Sequence, residues 1–463
     1  REMNGKVRHP IRLTAMLYLL DYGAGNIQSL ANSLTKLGYT YEWVREPSDI
    51  CKADKLLFPG VGSFASAMDA LHAKGYVEPL RAYIQSGKPL MGICVGMQVL
   101  FEGSDESPGV QGLGIVPARV GRFATQDALG RKAVPHMGWS LANVVEWDGC
   151  ADQRHELARS YGMHDSNPSH YYFVHSYRVA WDANVAEWAL TTTQYGNEVF
   201  VSSIQHANVF ATQFHPAKSG PAGWDLLAAG LRLEHVEPVT RVGRPVTSTE
   251  HMPTRRIVAC LDVRSNDAGD LVVTKGESYD VRERGEQDAG ASHVRNMGKP
   301  VELAQRYYDE GADEIAFLNI TSFRNWALND QPMLSLLNVA AATIFVPLTV
   351  GGGIRDFTDP DGTFHPALKV AHAYFRAGAD KVSIGSEAVY AVEQVLARAY
   401  EAGDMSGRSS CSAWCSSTWR YRYRADCSCI RCSGRGGECG SQARLRRECR
   451  SSGCACAQRR IWS

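Results

Sequence analysis

Short apolar runs recur along this chain, each followed by a stretch of helical periodicity, and they fall into two groups either side of a polar, proline-bearing link. In the first group, Lys88-Pro89-Leu90-Met91-Gly92-Ile93-Cys94 reads as a strand and Met97-Gln98-Val99-Leu100-Phe101 as a helical run. Leu57-Phe58 closes a second strand before the turn Pro59-Gly60-Val61-Gly62-Ser63. Phe210-Ala211-Thr212-Gln213-Phe214 is a third, stopped at His215 because Pro216 cannot extend a sheet. In the second group, strands are predicted over 256–263, 313–321, 343–350 and 380–386, with helices over 300–310 and 366–377. Continuous apolar strands alternating with amphipathic helices specify a parallel α/β sheet covered by helices.

Candidate chemistry sits where these strands end. Gly92 and Gly96 stand two places either side of Cys94, the spacing of a nucleophile elbow whose turn is too tight for a Cβ at either position. A thiol there meets the unpaired N–H groups of a helix start, which favour the thiolate. The same run also fits a structural cysteine in a Gly-rich turn. His215 is the candidate base, singled out among 14 histidines by its place at a strand end. Gly60-Val61-Gly62 either offers N–H groups to an oxyanion or forms an ordinary β–α turn. Asp262 ends the first strand of the second group, as a general acid or base or as a helix N-cap. Lys275 follows, placed to meet a phosphate. The Gly351-Gly352-Gly353 run and Gly385-Ser386 leave bare N–H groups that suit a phosphate dianion or a tight turn.

Taken together, Pro59-Gly60-Val61-Gly62-Ser63-Phe64, Gly92-Ile93-Cys94-Val95-Gly96-Met97-Gln98 and Gln213-Phe214-His215-Pro216 resemble the class I glutamine amidotransferases, over about residues 17–233. Three more runs narrow this to the glutaminase part of the imidazole glycerol phosphate synthase family. They are Asp21-Tyr22-Gly23-Ala24-Gly25-Asn26, Pro135-His136-Met137-Gly138-Trp139 and Tyr172-Phe173-Val174-His175-Ser176-Tyr177. Ala259-Cys260-Leu261-Asp262-Val263, Phe317-Leu318-Asn319-Ile320, Thr349-Val350-Gly351-Gly352-Gly353-Ile354 and Asp380-Lys381-Val382-Ser383-Ile384-Gly385 resemble its cyclase, over about residues 254–401. A fusion of the two in one chain is similar to the eukaryotic bifunctional form.

The resemblance implies a flavodoxin-like doubly wound sheet followed by part of a (β/α)₈ barrel. It makes Cys94 the nucleophile and His215 the base, and sets Gly60, Val61, Gly62, Gly96 and Gln98 around glutamine and its oxyanion. Asp262 becomes the cyclase acid or base, with Lys275, Gly352, Gly353, Gly385 and Ser386 around a phosphorylated substrate. Arg256, Glu314 and Lys381 match a charged ring at the barrel mouth, and Lys218 with Asp380 an interdomain ion pair. The partners implied are L-glutamine and a phosphorylated nucleotide-like substrate, with no metal and no organic cofactor. Ammonia freed from glutamine would pass through the barrel to a phosphoribulosyl-formimino aminoimidazole carboxamide nucleotide. That compound would yield imidazole glycerol phosphate and aminoimidazole carboxamide ribotide, a step of histidine biosynthesis. One position departs: the family reads His-Pro-Glu where this chain has His215-Pro216-Ala217. The missing carboxylate would have oriented the imidazole, and in a serine triad such a loss lowers turnover about 10⁴-fold.

Charge and cysteine usage change the picture at one end. Basic and acidic residues balance at 49 each, but residues 405–463 hold 12 arginines against three acids, leaving residues 1–404 at a net of −9. An acidic body has no electrostatic pull toward nucleic acid. Nine of the 13 cysteines also lie in 405–463, and the four in the body suit a reducing compartment. We expect a cytoplasmic protein with no membrane span, a plastid being the alternative. The expected organisation is a non-core extension over 1–15, a glutaminase domain over 16–234 and a linker over 235–254. Residues 255–404 would form the N-terminal half of a barrel, and 405–463 an irregular Arg/Cys/Ser-rich tail. Because that tail lacks periodicity, it reads as a frame-shifted remainder, which would leave the chain cyclase-deficient and prone to pair half barrels between copies, where a complete barrel would be monomeric. A glutaminase alone and a catalytically silent scaffold are the competing readings, the latter because of Ala217.

Overall fold

Five parallel strands form the centre of the first unit, in the order Glu42–Val44, Leu17–Leu20, Lys55–Gly60, Leu90–Cys94 and Val209–Thr212. The computed structural model describes residues 15–23, 26–147, 156–157, 160–163, 169–232, 243–247, 253–265, 271–275, 295–296, 299–320, 332–385, 388 and 393. Strand order reverses beside Leu17–Leu20, the doubly wound pattern whose ligand crevice opens at the carboxyl ends of the strands. Gly60 and Cys94 are the last residues of their strands, and Tyr22 and His215 lie just past the ends of theirs. Leu90–Cys94 is buried along its whole length, so its sequence is apolar without alternation.

Beyond Val209–Thr212 the sheet continues through Glu198–His206, Tyr177–Ala180 and Val116–Arg122. A separate antiparallel ribbon pairs His136–Leu141 with His170–His175, setting His136 opposite His175. The helix expected after Cys94 is one turn, Val95–Gln98, because Phe101–Ser104 is already a strand paired with Val116–Arg122.

Four parallel strands of the second unit follow the expected order: Val258–Ser265, Glu314–Asn319, Leu348–Gly351 and Lys381–Ser383. Leu261, Val263, Ile315, Phe317, Val350 and Val382 pack one face against the helices Pro300–Asp309, Pro332–Thr343 and Ala367–Ala377. The other face carries register rows: Cys260, Ala316, Thr349 and Lys381, then Asp262, Leu318, Gly351 and Ser383. Such rows are the layers that fill a barrel interior.

Three expectations change. The third strand starts at Leu348 and not near 343, since Thr343 still ends a helix and Ile344, Phe345 and Val346 form a buried connection. The first strand is not bare at its outer edge, because Leu271–Lys275 pairs antiparallel with Val263–Ser265. Part of the linker is structured: Gly243–Arg244 pairs with Glu146–Trp147, and Thr254 N–H donates to the Trp139 carbonyl at 2.8 Å. The readings of 1–14, Ser386 and 405–463 lie outside the described residues.

The two units meet along the helix Ile27–Lys36. Asn26 caps that helix by accepting from Ser29 N–H at 3.0 Å, and donates from Nδ2 to the Gly378 carbonyl at 2.8 Å and Asp380 Oδ1 at 3.1 Å. Asn32 donates to the Ala341 carbonyl at 2.9 Å. Lys36 sits over the rings of Trp224 and Phe345, 4.5 and 4.6 Å from their centroids. Among the described residues no helix is long and apolar enough to cross a membrane.

Candidate active site

Cys94 has φ 56° and ψ −110°, a backbone region a side-chain-bearing residue rarely occupies. The neighbouring backbones make that turn obligatory. A Cβ on Gly96 would stand 1.9 Å from the Phe58 carbonyl oxygen, and one on Gly60 would stand 2.4 Å from Gly96 N. A Cβ on Gly92 would stand 2.9 Å from the Gly96 carbonyl oxygen. The expected glycines are therefore contact surfaces where the elbow and the oxyanion segment lie backbone to backbone, with Gly60 in register with Cys94.

Cys94 is fully buried, and Gln213 Nε2 donates to its sulfur at 3.7 Å. His215 reaches the same end of the sheet, because Ile93 pairs with Thr212 on the adjacent strand. Its backbone N–H is fixed by the Tyr172 carbonyl at 2.9 Å, while its Nε2 is buried without a hydrogen bond. Ala217 lies buried in the turn Pro216–Lys218, two residues beyond His215.

The oxyanion segment is occupied by a neighbour that sequence reading missed. Val61 N–H donates to the Tyr22 hydroxyl at 3.1 Å, and that hydroxyl returns a bond of 3.1 Å to the Val61 carbonyl. Gln98, expected at substrate, is turned inward, donating to the Tyr177 carbonyl at 3.1 Å and to Gln213 Oε1 at 2.9 Å. A cavity of about 400 Å³ opens between the units, bounded by Gly60, Val61, His215 and Ala217 on one side and Phe375 and Val382 on the other.

Next to Tyr172 and Asp380, which line this cavity, lie the charges that the family resemblance grouped. Glu314 joins Lys381 through Oε1 and Arg256 Nε through Oε2 at 3.1 Å, while Thr349 Oγ1 donates to Oε1 at 2.8 Å. Lys381 also faces the Tyr172 ring at 5.8 Å. Burial lowers the Lys381 ammonium below the ordinary lysine range, and Glu314 opposes that fall. Lys218 pairs with Asp380 at 2.8 Å.

In the second unit, burial pushes the Asp262 carboxyl upward, toward the neutral form that an acid catalyst needs. Gly352 has φ 87°, and a Cβ there would stand 2.0 Å from the Asn319 carbonyl oxygen. Gly353 has φ 73°, while a Cβ on Gly385 would meet nothing within 4 Å. Lys275 ends its strand opposite Arg295. Among the described residues no group of three or more His, Cys, Asp or Glu side chains could hold a metal ion.

Residues 18–232 match the family Glutamine amidotransferase class-I, and residues 256–406 match Histidine biosynthesis protein. Fold and site thus define a class I glutamine amidotransferase unit joined to a histidine-biosynthesis unit. Imidazole glycerol phosphate synthase hisHF of Schizosaccharomyces pombe is 52% identical over 398 residues, 85% of this chain and 69% of that protein. Its namesake in Emericella nidulans is 51% identical over 384 residues, 82% of this chain and 67% of that protein. The chloroplastic hisHF of Arabidopsis thaliana is 47% identical over 396 residues, 86% of this chain and 62% of that protein. The chain belongs to the bifunctional imidazole glycerol phosphate synthase family of histidine biosynthesis, and spans about two thirds of the length of these relatives.

Proposed function

We propose that Cys94 attacks the side-chain amide carbon of L-glutamine, with His215 taking the thiol proton and passing it to the departing nitrogen. Ammonia leaves, and water hydrolyses the glutamyl thioester to glutamate and free thiol. Gly60, Val61 and Gly62 serve the tetrahedral oxyanion once Val61 N–H is released from Tyr22. The observation that carries this reading is the strained turn at Cys94, held by glycine contacts against the oxyanion segment and beside a cavity shared by both units.

Ammonia is a nucleophile only when unprotonated, so an apolar route between the units protects it from water. Arg256, Glu314 and Lys381 gate its entry to the second unit, and Lys218 with Asp380 aligns the two. There it meets a phosphorylated nucleotide-like substrate, held by Lys275, Gly352, Gly353, Gly385 and Ser386, with Asp262 moving the proton for cleavage and ring closure. The glutaminase domain occupies 16–234 and the barrel portion 255–404, and we place the protein in the cytoplasm. A glutaminase without cyclase turnover is a second reading, and a silent scaffold, favoured by Ala217 and the unpaired Nε2 of His215, a third.

Glutamate release from glutamine, with and without the nucleotide substrate, separates these. Release that rises with the nucleotide and vanishes in Cys94→Ala is expected. Constant release points to an uncoupled glutaminase, and none to the scaffold.

A further inference from the structure

A hydrogen bond reaches the Cys94 sulfur with its direction fixed several side chains away. The Tyr177 carbonyl can only accept, and His175 Nδ1 lies 2.8 Å from it, so that nitrogen carries the proton and Nε2 accepts. His136 Nδ1 donates to His175 Nε2 at 3.0 Å, which leaves His136 Nε2 to accept from the Ser140 hydroxyl at 2.9 Å. Gln98 meets the same Tyr177 carbonyl and must therefore turn its nitrogen toward it, with the second N–H going to Gln213 Oε1. Gln213, holding its oxygen toward Gln98, has only its nitrogen left for sulfur. Cys94, Gln98, His136, Ser140, His175 and Gln213 are each less than 5% exposed, so water does not compete for these bonds.

We propose that Gln213 is a positioning residue for the nucleophile: its amide, oriented through Gln98 by a backbone carbonyl, aims the Cys94 sulfur and stabilises it as the thiolate. This rests on reading Cys94 as the nucleophile. A one-turn helix supplies few aligned peptide dipoles, and Ala217 provides no carboxylate to hold His215. A neutral donor in a dry pocket supplies anion stabilisation that depends on neither. Reversal of the amide would aim a lone pair at sulfur and favour the thiol. The chain from Tyr177 forbids that reversal.

The ionisable groups at this end of the sheet each have their own place. Tyr22 is on Val61, Glu106 accepts from Phe64 N–H at 2.8 Å, His175 is fixed in the chain, and His215 stands beyond Thr212. Lys55 is at the opposite end of its strand, on the Leu231 carbonyl at 2.8 Å.

The test is the rate of Cys94 alkylation by iodoacetamide against pH, read site by site by mass spectrometry on the full chain. Gln213→Met should raise the midpoint by about one unit, slow alkylation near pH 7 about tenfold, and regain the parent rate at high pH. Gln213→Glu should raise it further. A merely structural role would lower stability and leave the midpoint alone. If the variants do not fold, the side-chain amide resonance of Gln213 in the parent protein must move as Cys94 titrates. An unmoved midpoint, or an amide resonance indifferent to the thiol, overturns the proposal. Absent glutamate release together with a shifted midpoint would sink the glutaminase reading and leave this one standing.

Discussion

Asp380 of the second unit holds Lys218 of the first at 2.8 Å, with both side chains largely withdrawn from water. The same carboxylate accepts from Leu348 N–H at 2.8 Å and from Asn26 Nδ2 at 3.1 Å, so it anchors both its own sheet and the seam. Removing one member of a buried pair leaves the other charge uncompensated, at a cost of about 3–5 kcal/mol. Lys218→Ala should lower stability by that order in urea titrations and weaken the effect of nucleotide on glutamate release. A double-mutant cycle with Asp380→Ala should show coupling of about 1 kcal/mol or more.

Tyr22 restrains Val61 in the state described here. Tyr22→Phe removes the hydroxyl and sets Val61 N–H free for an oxyanion. Since a net hydrogen bond contributes about 1 kcal/mol, glutamate release without nucleotide should rise about fivefold. Steady-state glutaminase assays check this, and an unchanged basal rate would dissociate Tyr22 from the oxyanion segment.

Gly96→Ala probes the elbow itself. The added methyl would lie 1.9 Å from a backbone oxygen, and neither strand nor turn can shift far without displacing Cys94. Loss of about 3 kcal/mol and of glutamate release is expected, measured by denaturant unfolding and activity together. Gly385→Ala, where a Cβ meets nothing within 4 Å, is the matched control and should change stability little.

Acid should weaken the first unit through His136. Burial first, then His175 and Lys132, hold its imidazole well below the ordinary 6.5. Below about pH 6.5 the unfolded chain binds a proton that the folded chain refuses, so stability falls as pH drops through that value. The slope is at most about 1.4 kcal/mol per pH unit for this one group, and above it the contribution is flat. Urea midpoints from pH 8 to 5 should show the decline, and His136→Gln should flatten it.

The parts of this molecule legible in its sequence are those written in neighbouring residues. Gly92, Cys94 and Gly96 state a turn within five positions, and most apolar runs announced their strands, Ile344-Phe345-Val346 being a buried connection instead. Grouping Arg256, Glu314 and Lys381 required the family resemblance, since Glu314 and Lys381 start different strands, Arg256 precedes a third, and nothing local links them. Tyr22 and Val61 lie 39 residues apart, and Gln213 and Cys94 119 apart. Their partnerships follow from strand order, which composition and periodicity do not carry. The pairing of Gly243–Arg244 was hidden for another reason: two residues among prolines and polar groups make no pattern. His136 and His175 were visible only as matching motifs, because their proton positions depend on the Tyr177 carbonyl.

Asn26 spends its amide oxygen on the first turn of its own helix and its amide nitrogen on the opposite unit. Prising the halves apart therefore frays the helix start, and fraying the helix start loosens the halves. A proteolytic nick near residue 26 and a hinge opening would register as a single event.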